Sequence, residues 1–358
     1  MALKATLTLF VRLNQILLPN VNPVSNMTGF FLVFSLNFRN ILGKGGGMKI
    51  VIFGIGAMGS VYGGLFADAG HDVIGIDAWT DHITAINTAG LRVSGASGDR
   101  ILTTITAQSP EQTTPDADLY VIATKAAHVA DAGAKISIEG RATAPVLTIQ
   151  NGFGSGDILA QHIAPERIML GVAEGFGASI KAPGHAHHTS MTRIRLGDYR
   201  KADHGHGVSE RLKHQTTLWQ DAGFPAEYYD DIDQLIWEKF VCNVTLSGPC
   251  TITGLTVAGL RADDALWQMA LACGAEAYAV GKARGVNFSY DDPIRYVTAF
   301  AEKLGEARPS MALDHLAKRK SEIDVINGIV PVLAEQIGMT APVNQVVSAL
   351  VRHAEKEF

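Results

Sequence analysis

The chain has 358 residues, of which 47% are hydrophobic and 18% charged, with a formal net charge of −5. That length and apolar content support a sizeable buried core and two domains rather than one. The mild negative charge, without a run of Lys and Arg interleaved with aromatics, excludes a nucleic-acid partner.

Residues 1–47 carry apolar fragments (Leu7 to Val11, Ile16 to Leu18, Phe30 to Phe34) broken by Asn and Pro. None approaches the roughly 18 apolar residues of a membrane helix, and no clean cleavage site marks a signal peptide. Gly45-Gly46-Gly47 leads directly into Met48, so residues 1–47 are expected to be an extension outside the fold, with Met48 the natural start. Peptides from residues 1–47 in the native protein would overturn that expectation. No membrane partner is expected, and the cysteines, read as reduced core thiols, fit an expected cytoplasmic location.

The run Lys49-Ile-Val-Ile-Phe-Gly-Ile-Gly-Ala-Met-Gly59 reads as a buried strand turning into a helix. Gly54 would make the tight turn, Gly56 would let the backbone approach a pyrophosphate, and Gly59 would let the helix pack on its strand. Bare N–H groups and the helix dipole then face the anion. His71 to Ile76 resumes a strand and ends on Asp77, placed to accept both ribose hydroxyls of NAD and to repel a 2′-phosphate. The bland alternative is a turn or cap aspartate.

Ile83 to Gly90 reads as a helix capped by Asp81. Leu91 to Val93 and Ile101 to Ile105 read as an exposed hairpin turned at Ser97-Gly98-Asp99. Leu119 to Thr124 and Val146 to Ile149 are buried strands whose carboxyl ends carry Lys125 and Gln150-Asn151-Gly152. Ligand crevices of open sheets lie at such ends, although a loop lysine and an Asn-Gly turn would look the same. Met169 to Gly175 is a further strand, and His185 to Gly197 an antiparallel pair around a Thr189-Ser190 tip. The Gly and Pro beside His185, His187 and His188 point to a surface loop, and no partner completes a metal ligand set. Ser209 to Ala222 is helical and Ala226 to Tyr229 an edge strand.

Strand patterns stop near residue 230. The expected architecture is therefore α/β: a Rossmann-type domain with a parallel doubly wound sheet over residues 48–229, then an all-α substrate domain over 230–358. The apolar C-terminal helices would serve equally as a homodimer face or as the core of one chain. Cys242, Cys250 and Cys273 lack CxxC spacing and read as reduced core thiols.

In Leu235 to Ser247, the side chains of Lys239, Asn243 and Ser247 recur every fourth residue and share one helix face, while Ile236, Phe240 and Val244 would be hidden. A lysine among apolar neighbours faces a cleft, where burial lowers its pKa toward the range useful for proton donation. Further on, Ser310 reads as an N-cap with Asp314 in the first turn, and Glu322 as a helix-start or salt-bridge residue.

From Met48 onward the sequence resembles the ketopantoate reductase (2-dehydropantoate 2-reductase) family through GIGAMG at 54–59, TKA at 124–126, QNGFG at 150–154, PGHAHHT at 183–189, WEKFVCN at 237–243 and SMALDHLAKRKSEIDVING at 310–328. The resemblance implies NAD(P)H-dependent reduction of ketopantoate to pantoate, in pantothenate biosynthesis. It further implies that Lys239 is the general acid, that Glu322, Ser310 and Asn243 contact substrate, and that Lys125 and Asn151 lie near cofactor and carbonyl.

Two departures stand out. Ser247-Gly248-Pro249 replaces the second asparagine usual before that proline, so Ser247 is a shorter donor in the substrate pocket, and Gly171 to Gly177 is not threonine-rich. Family members commonly follow the second strand with a basic residue for the 2′-phosphate, whereas here Asp77-Ala-Trp-Thr-Asp81 has none, so NADH is favoured over NADPH. Rival expectations are an NAD-dependent D-2-hydroxyacid dehydrogenase acting on another 2-oxo acid and, from another class, a non-catalytic dinucleotide sensor.

Overall fold

The computed structural model describes residues 47–199 and 208–358. The expected N-terminal extension falls, all but Gly47, outside the described residues. Twelve strands and twelve α-helices are described, and every element after Tyr228 is helical.

Eight strands form one twisted sheet: β1 (Lys49–Phe53), β2 (Asp72–Ile76), β5 (Thr106–Gln108), β6 (Leu119–Ile122), β7 (Val146–Thr148), β8 (Ile168–Glu174), β11 (Arg193–Asp198) and β12 (Ala226–Tyr228). Their spatial order is β12-β11-β8-β7-β6-β1-β2-β5, parallel throughout except for β8 against β11. The chain runs outward from β1 to β2 and then returns to β6 on the other side of β1. The switch point therefore lies between β1 and β6, where an open sheet splays its connections and leaves a crevice.

Alternation within β1 sets the two layers. Ile50 and Ile52 join a core with helix α1 (Ala57–Asp68), while Val51 and Phe53 join one with helix α3 (Val129–Glu139). Helix α1 packs closely because it is built of small residues. A Cβ on Gly64 would lie 2.5 Å from Val93, and one on Gly63 3.0 Å from Ile105.

Two expectations about β structure fail for one reason. Strands β3 (Leu91–Gly95) and β4 (Arg100–Leu102) do form a hairpin, yet Leu91 and Val93 are fully buried. They belong to a second, four-stranded sheet ordered β4-β3-β10-β9, with β9 (Gly177–Ala182) and β10 (His185–Ser190). The antiparallel partner of β10 is β9, through a turn at Pro183-Gly184, whereas β11 lies in the large sheet. Period-two alternation reveals a strand but not its partner. For the same reason His185, His187 and His188 lie in a strand rather than a surface loop, and His188 is fully buried.

Helix α2 (Thr80–Ala89) begins earlier than expected, with Trp79 at the cap position and Asp81 inside the first turn. Helix α5 (Glu210–Asp221) falls within the expected Ser209 to Ala222, with Ser209 as its cap.

The helical half is organised around α6 (Ile232–Thr253), capped by Asp231 and ended by left-handed Gly254. It is buried on nearly every side rather than amphipathic, because helices cross it from several directions. Gly274 in α8 (Asp264–Ala283) marks one crossing, where an added Cβ would sit 2.1 Å from Thr245 Oγ1. Pro249 lies inside α6, and a proline there cannot donate to the carbonyl four residues back. Beside it the carboxamide of Asn327 joins the helix backbone, accepting from Gly248 N at 3.1 Å and donating to Val244 O at 2.8 Å. The same amide donates to Asn344 Oδ1, and Asn344 donates to Cys273 O and Glu276, so this buried polar string is satisfied along its length. The three cysteines are free and buried, and burial pushes each thiol up to about 12.

No helix among the described residues is long and apolar enough to cross a membrane.

Candidate active site

At the switch point, β1 delivers the chain into Gly54, whose φ of +86° is strained for any side chain. A Cβ there would also meet Thr124 N at 2.6 Å, so the loop lies against the end of β6. Gly59 is needed for packing, since its Cβ would sit 1.9 Å from Gly54 O. Gly56 differs from both: its φ is −65°, and no protein atom lies within 4 Å of an added Cβ. Nothing in the fold itself calls for glycine there. The open space leaves room for a group that approaches the backbone from outside, at the N-terminus of a twelve-residue helix with no acidic residue in its first turn. These residues fit the pyrophosphate of a dinucleotide.

Asp77 follows β2, the strand next to β1, and is half-buried. Its Oδ1 accepts Trp79 N–H at 3.0 Å and its own N–H donates to Gln108 O. The carboxylate thus folds the turn as well as standing at the strand end.

Lys239 projects from α6 toward the sheet. Its Nζ donates to Asn151 Oδ1 at 3.0 Å and to Ala173 O at 2.8 Å. Asn151 follows β7 and Ala173 lies near the end of β8, so two adjacent strand ends hold one ammonium from the helical half. Burial pulls the Lys239 pKa down to about 8, with the Glu174 and Glu322 carboxylates acting in the opposite sense. Asn151, Phe153, Ile236, Phe240 and Asn243 line the same cleft as Lys239. Gly152 takes a φ of +92° and Phe153 N donates to Val325 O, which ties this loop to the helical half.

Lys125, at the end of β6, pairs with Asp314 Oδ2 at 2.9 Å. Asp314 is 6% exposed and is also held by Arg319 at 2.8 Å. Glu322 accepts the Ala126 N–H. Burial raises its carboxyl above the usual range and Asp314 adds to this, while Lys125, the Ala126 N–H and Lys239 oppose it. Lys125, Asp314, Glu322 and Lys239 therefore form one electrostatic cluster between the sheet ends and the helices.

The three-residue line on α6 divides. Lys239 and Asn243 face the cleft, whereas Ser247 is 4% exposed and is not among the cleft-lining residues. Ser310 is exposed and is the first residue of α10 (Ser310–Leu316); Pro309 occupies the cap position, and no side chain caps the helix. Sequence reasoning missed Asp314 as the partner of Lys125, the Ala173 carbonyl and the Ala126 amide. Backbone groups leave no residue-type signal, and Asp314 lies 189 residues from its partner.

Among the described residues no group of three or more His, Cys, Asp or Glu side chains could hold a metal ion. Ser94 Oγ bonds His185 Nε2 and His187 Nδ1, which accounts for two of the clustered histidines within the small sheet.

Comparison with known proteins gives a consistent answer. The profile described as Ketopantoate reductase PanE/ApbA matches residues 50–201, and that described as Ketopantoate reductase PanE/ApbA C terminal matches residues 231–355. A 2-dehydropantoate 2-reductase of Streptococcus pyogenes serotype M18 (strain MGAS8232) is 32% identical over 313 residues, covering 86% of this chain and 98% of that protein. Among solved structures, a PanE/ApbA family ketopantoate reductase from Ralstonia eutropha JMP134 superposes with a TM-score of 0.78 at 28% identity, covering 87% of this chain and 99% of the other. D-mandelate dehydrogenase in its ternary structure with NADH and anilino(oxo)acetate does so with a TM-score of 0.78 at 25% identity and the same coverage.

Proposed function

The chain belongs to the ketopantoate reductase family of oxidoreductases, which act on the CH–OH group of 2-hydroxy acids, and from that premise we propose that it is an NADH-dependent 2-oxoacid reductase with ketopantoate as its leading substrate. The observation that carries the reading is Lys239, an ammonium held by Asn151 and the Ala173 carbonyl in the cleft, with its pKa pulled to about 8. A group titrating there can give and take a proton near neutral pH. In this reading the nucleotide-binding domain ends at residue 229, the substrate domain begins at 230, and residues 1–47 belong to neither.

The reduced nicotinamide, when bound, supplies hydride to the 2-oxo carbon. Gly54, Gly56 and Gly59 shape the loop that admits the pyrophosphate, and Asp77 receives the adenosine ribose. Lys239 donates the proton that the former carbonyl oxygen needs as it becomes hydroxyl. Asn151 and the Ala173 carbonyl accept two of the three ammonium N–H bonds and so orient the third, which carries the transferred proton. Asn243, one turn along α6 on the cleft side, hydrogen-bonds the substrate, with Ser310 assigned to its remaining polar groups, whereas the buried Ser247 lies off the cleft and takes no part. Glu322 keeps Lys239 from losing its proton too readily and contacts substrate at the seam of the two domains. Lys125 lies near the cofactor and the reacting carbonyl, supplying positive charge for an acidic substrate.

A second reading, reduction of another 2-oxo acid by a D-2-hydroxyacid dehydrogenase of the family, draws support from the likeness to D-mandelate dehydrogenase. It draws further support from Ser247-Gly248-Pro249, where Gly248 is occupied with Asn327. Initial rates with ketopantoate and a panel of branched and aromatic 2-oxo acids, each with NADH and NADPH, separate the two. A kcat/KM for ketopantoate below those of the aromatic acids rejects the first reading. No turnover with any of them rejects both in favour of a dinucleotide sensor. Because Asp77 would face a 2′-phosphate without a neighbouring cation, NADH should exceed NADPH in kcat/KM by about tenfold or more.

A further inference from the structure

Just beyond Asp77 stands Trp79, a large apolar side chain left 39% exposed at the start of α2. Its backbone is fixed, because Trp79 N–H donates to Asp77 Oδ1 at 3.0 Å. Its ring is fixed as well: the indole lies flat on the imidazole of His82, with centroids 4.9 Å apart and planes at 8°.

His82 is a rigid base for that stack. It is fully buried, and both ring nitrogens are engaged. Gly184 N–H donates to Nδ1 at 2.9 Å, so Nδ1 carries no proton and Nε2 does. Nε2 then donates to Ser60 Oγ at 3.2 Å, and Ser60 Oγ donates to Ile55 O at 2.7 Å. Ile55 lies between Gly54 and Gly56. One chain of hydrogen bonds therefore runs from the small sheet, through the imidazole beneath Trp79, into the glycine loop. Burial lowers the His82 pKa, which favours this neutral form.

A turn needs no indole, and a polar residue would avoid the cost of leaving one in water. We propose that Trp79 is a cofactor-specificity residue whose open face stacks on the adenosine end of NADH and denies room and hydrogen bonds to a 2′-phosphate. The inference rests on the dinucleotide reading above. It assigns two tasks to one strand end: Asp77 takes the ribose hydroxyls, and Trp79 supplies an apolar surface beside them. A 2′-phosphate would then meet a carboxylate and an indole face, neither of which compensates its charge.

Isothermal titration calorimetry of the full chain with NADH and with NADPH, without any 2-oxo acid, tests this. Loss of one stacking partner predicts that Trp79→Ala weakens NADH binding about tenfold, and that Trp79→Phe, which keeps an aromatic face, recovers most of it. NADPH binding should weaken less than NADH binding in Trp79→Ala. Unchanged NADH affinity in Trp79→Ala, or equal losses for both nucleotides, overturns the assignment to Trp79 while leaving the reductase reading intact. Wild-type protein that binds neither nucleotide overturns the cofactor reading and this inference with it. Should Trp79→Ala fail to fold, Trp79→Phe decides by its ratio of NADH to NADPH affinity, which must stay near the wild-type ratio.

Discussion

Proton donation by Lys239 predicts a specific pH profile. With its pKa at about 8, about nine-tenths of the side chain is protonated at pH 7 and about one-tenth at pH 9. The reduction direction needs the protonated form, so kcat/KM for the 2-oxo acid should be level below about pH 7 and fall about tenfold per unit well above 8. Oxidation of the corresponding 2-hydroxy acid needs the neutral form and should rise through the same pH. The two directions thus have mirrored profiles with one midpoint. Lys239→Ala should lower kcat by roughly 10²- to 10⁴-fold, the size of a general-acid contribution, and flatten both profiles. Glu174→Gln adds an internal control. The Glu174 carboxylate raises the Lys239 pKa against the effect of burial, so removing its charge should move the midpoint to lower pH, damped by the Arg195 that already pairs with Glu174 at 3.0 Å. Initial rates from pH 6 to 10, at saturating NADH for reduction and saturating NAD⁺ for oxidation, provide the assay. A wild-type profile without a change near 8, or a Lys239→Ala variant with near-normal kcat, would refute the assignment.

Three further outcomes follow from particular contacts. Gly56→Ala should fold with a thermal midpoint near that of wild type yet lose NADH affinity by calorimetry, whereas Gly59→Ala should lose the folded state itself, because its Cβ would collide with Gly54 O at 1.9 Å; equal stability of the two variants would contradict this. Asn327→Leu removes the partner of Gly248 N, Val244 O and Asn344 Oδ1, and at about 1–3 kcal/mol for each buried group left without a bond it should cost several kcal/mol in urea denaturation. Asp314→Asn leaves two cations without their carboxylate and should lower stability by about 1–3 kcal/mol, with the difference from wild type shrinking at high salt; a difference independent of salt would assign the effect to packing alone.

The sequence revealed those parts of the molecule that depend on local geometry. The turn at Gly54 and the helix-facing Gly59 were readable because their requirements arise within ten residues. Lys239 and Asn243 were readable as neighbours because helix periodicity puts every fourth residue on one side. Partnerships across long separations were not. Nothing in Lys125 announces Asp314, and nothing in the alternation of His185 to Gly197 assigns its two strands to different sheets. Ser247 shows the limit of periodicity, since it follows Asn243 by one turn yet lies buried near the Pro249 irregularity. The burial of α6 on nearly every side likewise depends on helices that arrive later in the chain.

That dependence gives the Asn327 contact a consequence for assembly. The stretch of α6 around Gly248 obtains its hydrogen-bond partner from a residue 79 positions downstream, so the helix bearing Lys239 cannot reach its final form by local coiling. A contact of such sequence separation is slow to find, because the intervening loop must close before the contact stabilises anything. During synthesis the end of α6 waits for that partner. The segment it waits for, residues 322–328, is the one that also carries Glu322. Helix completion and arrival of Glu322 beside Lys239 are therefore expected to be a single cooperative event.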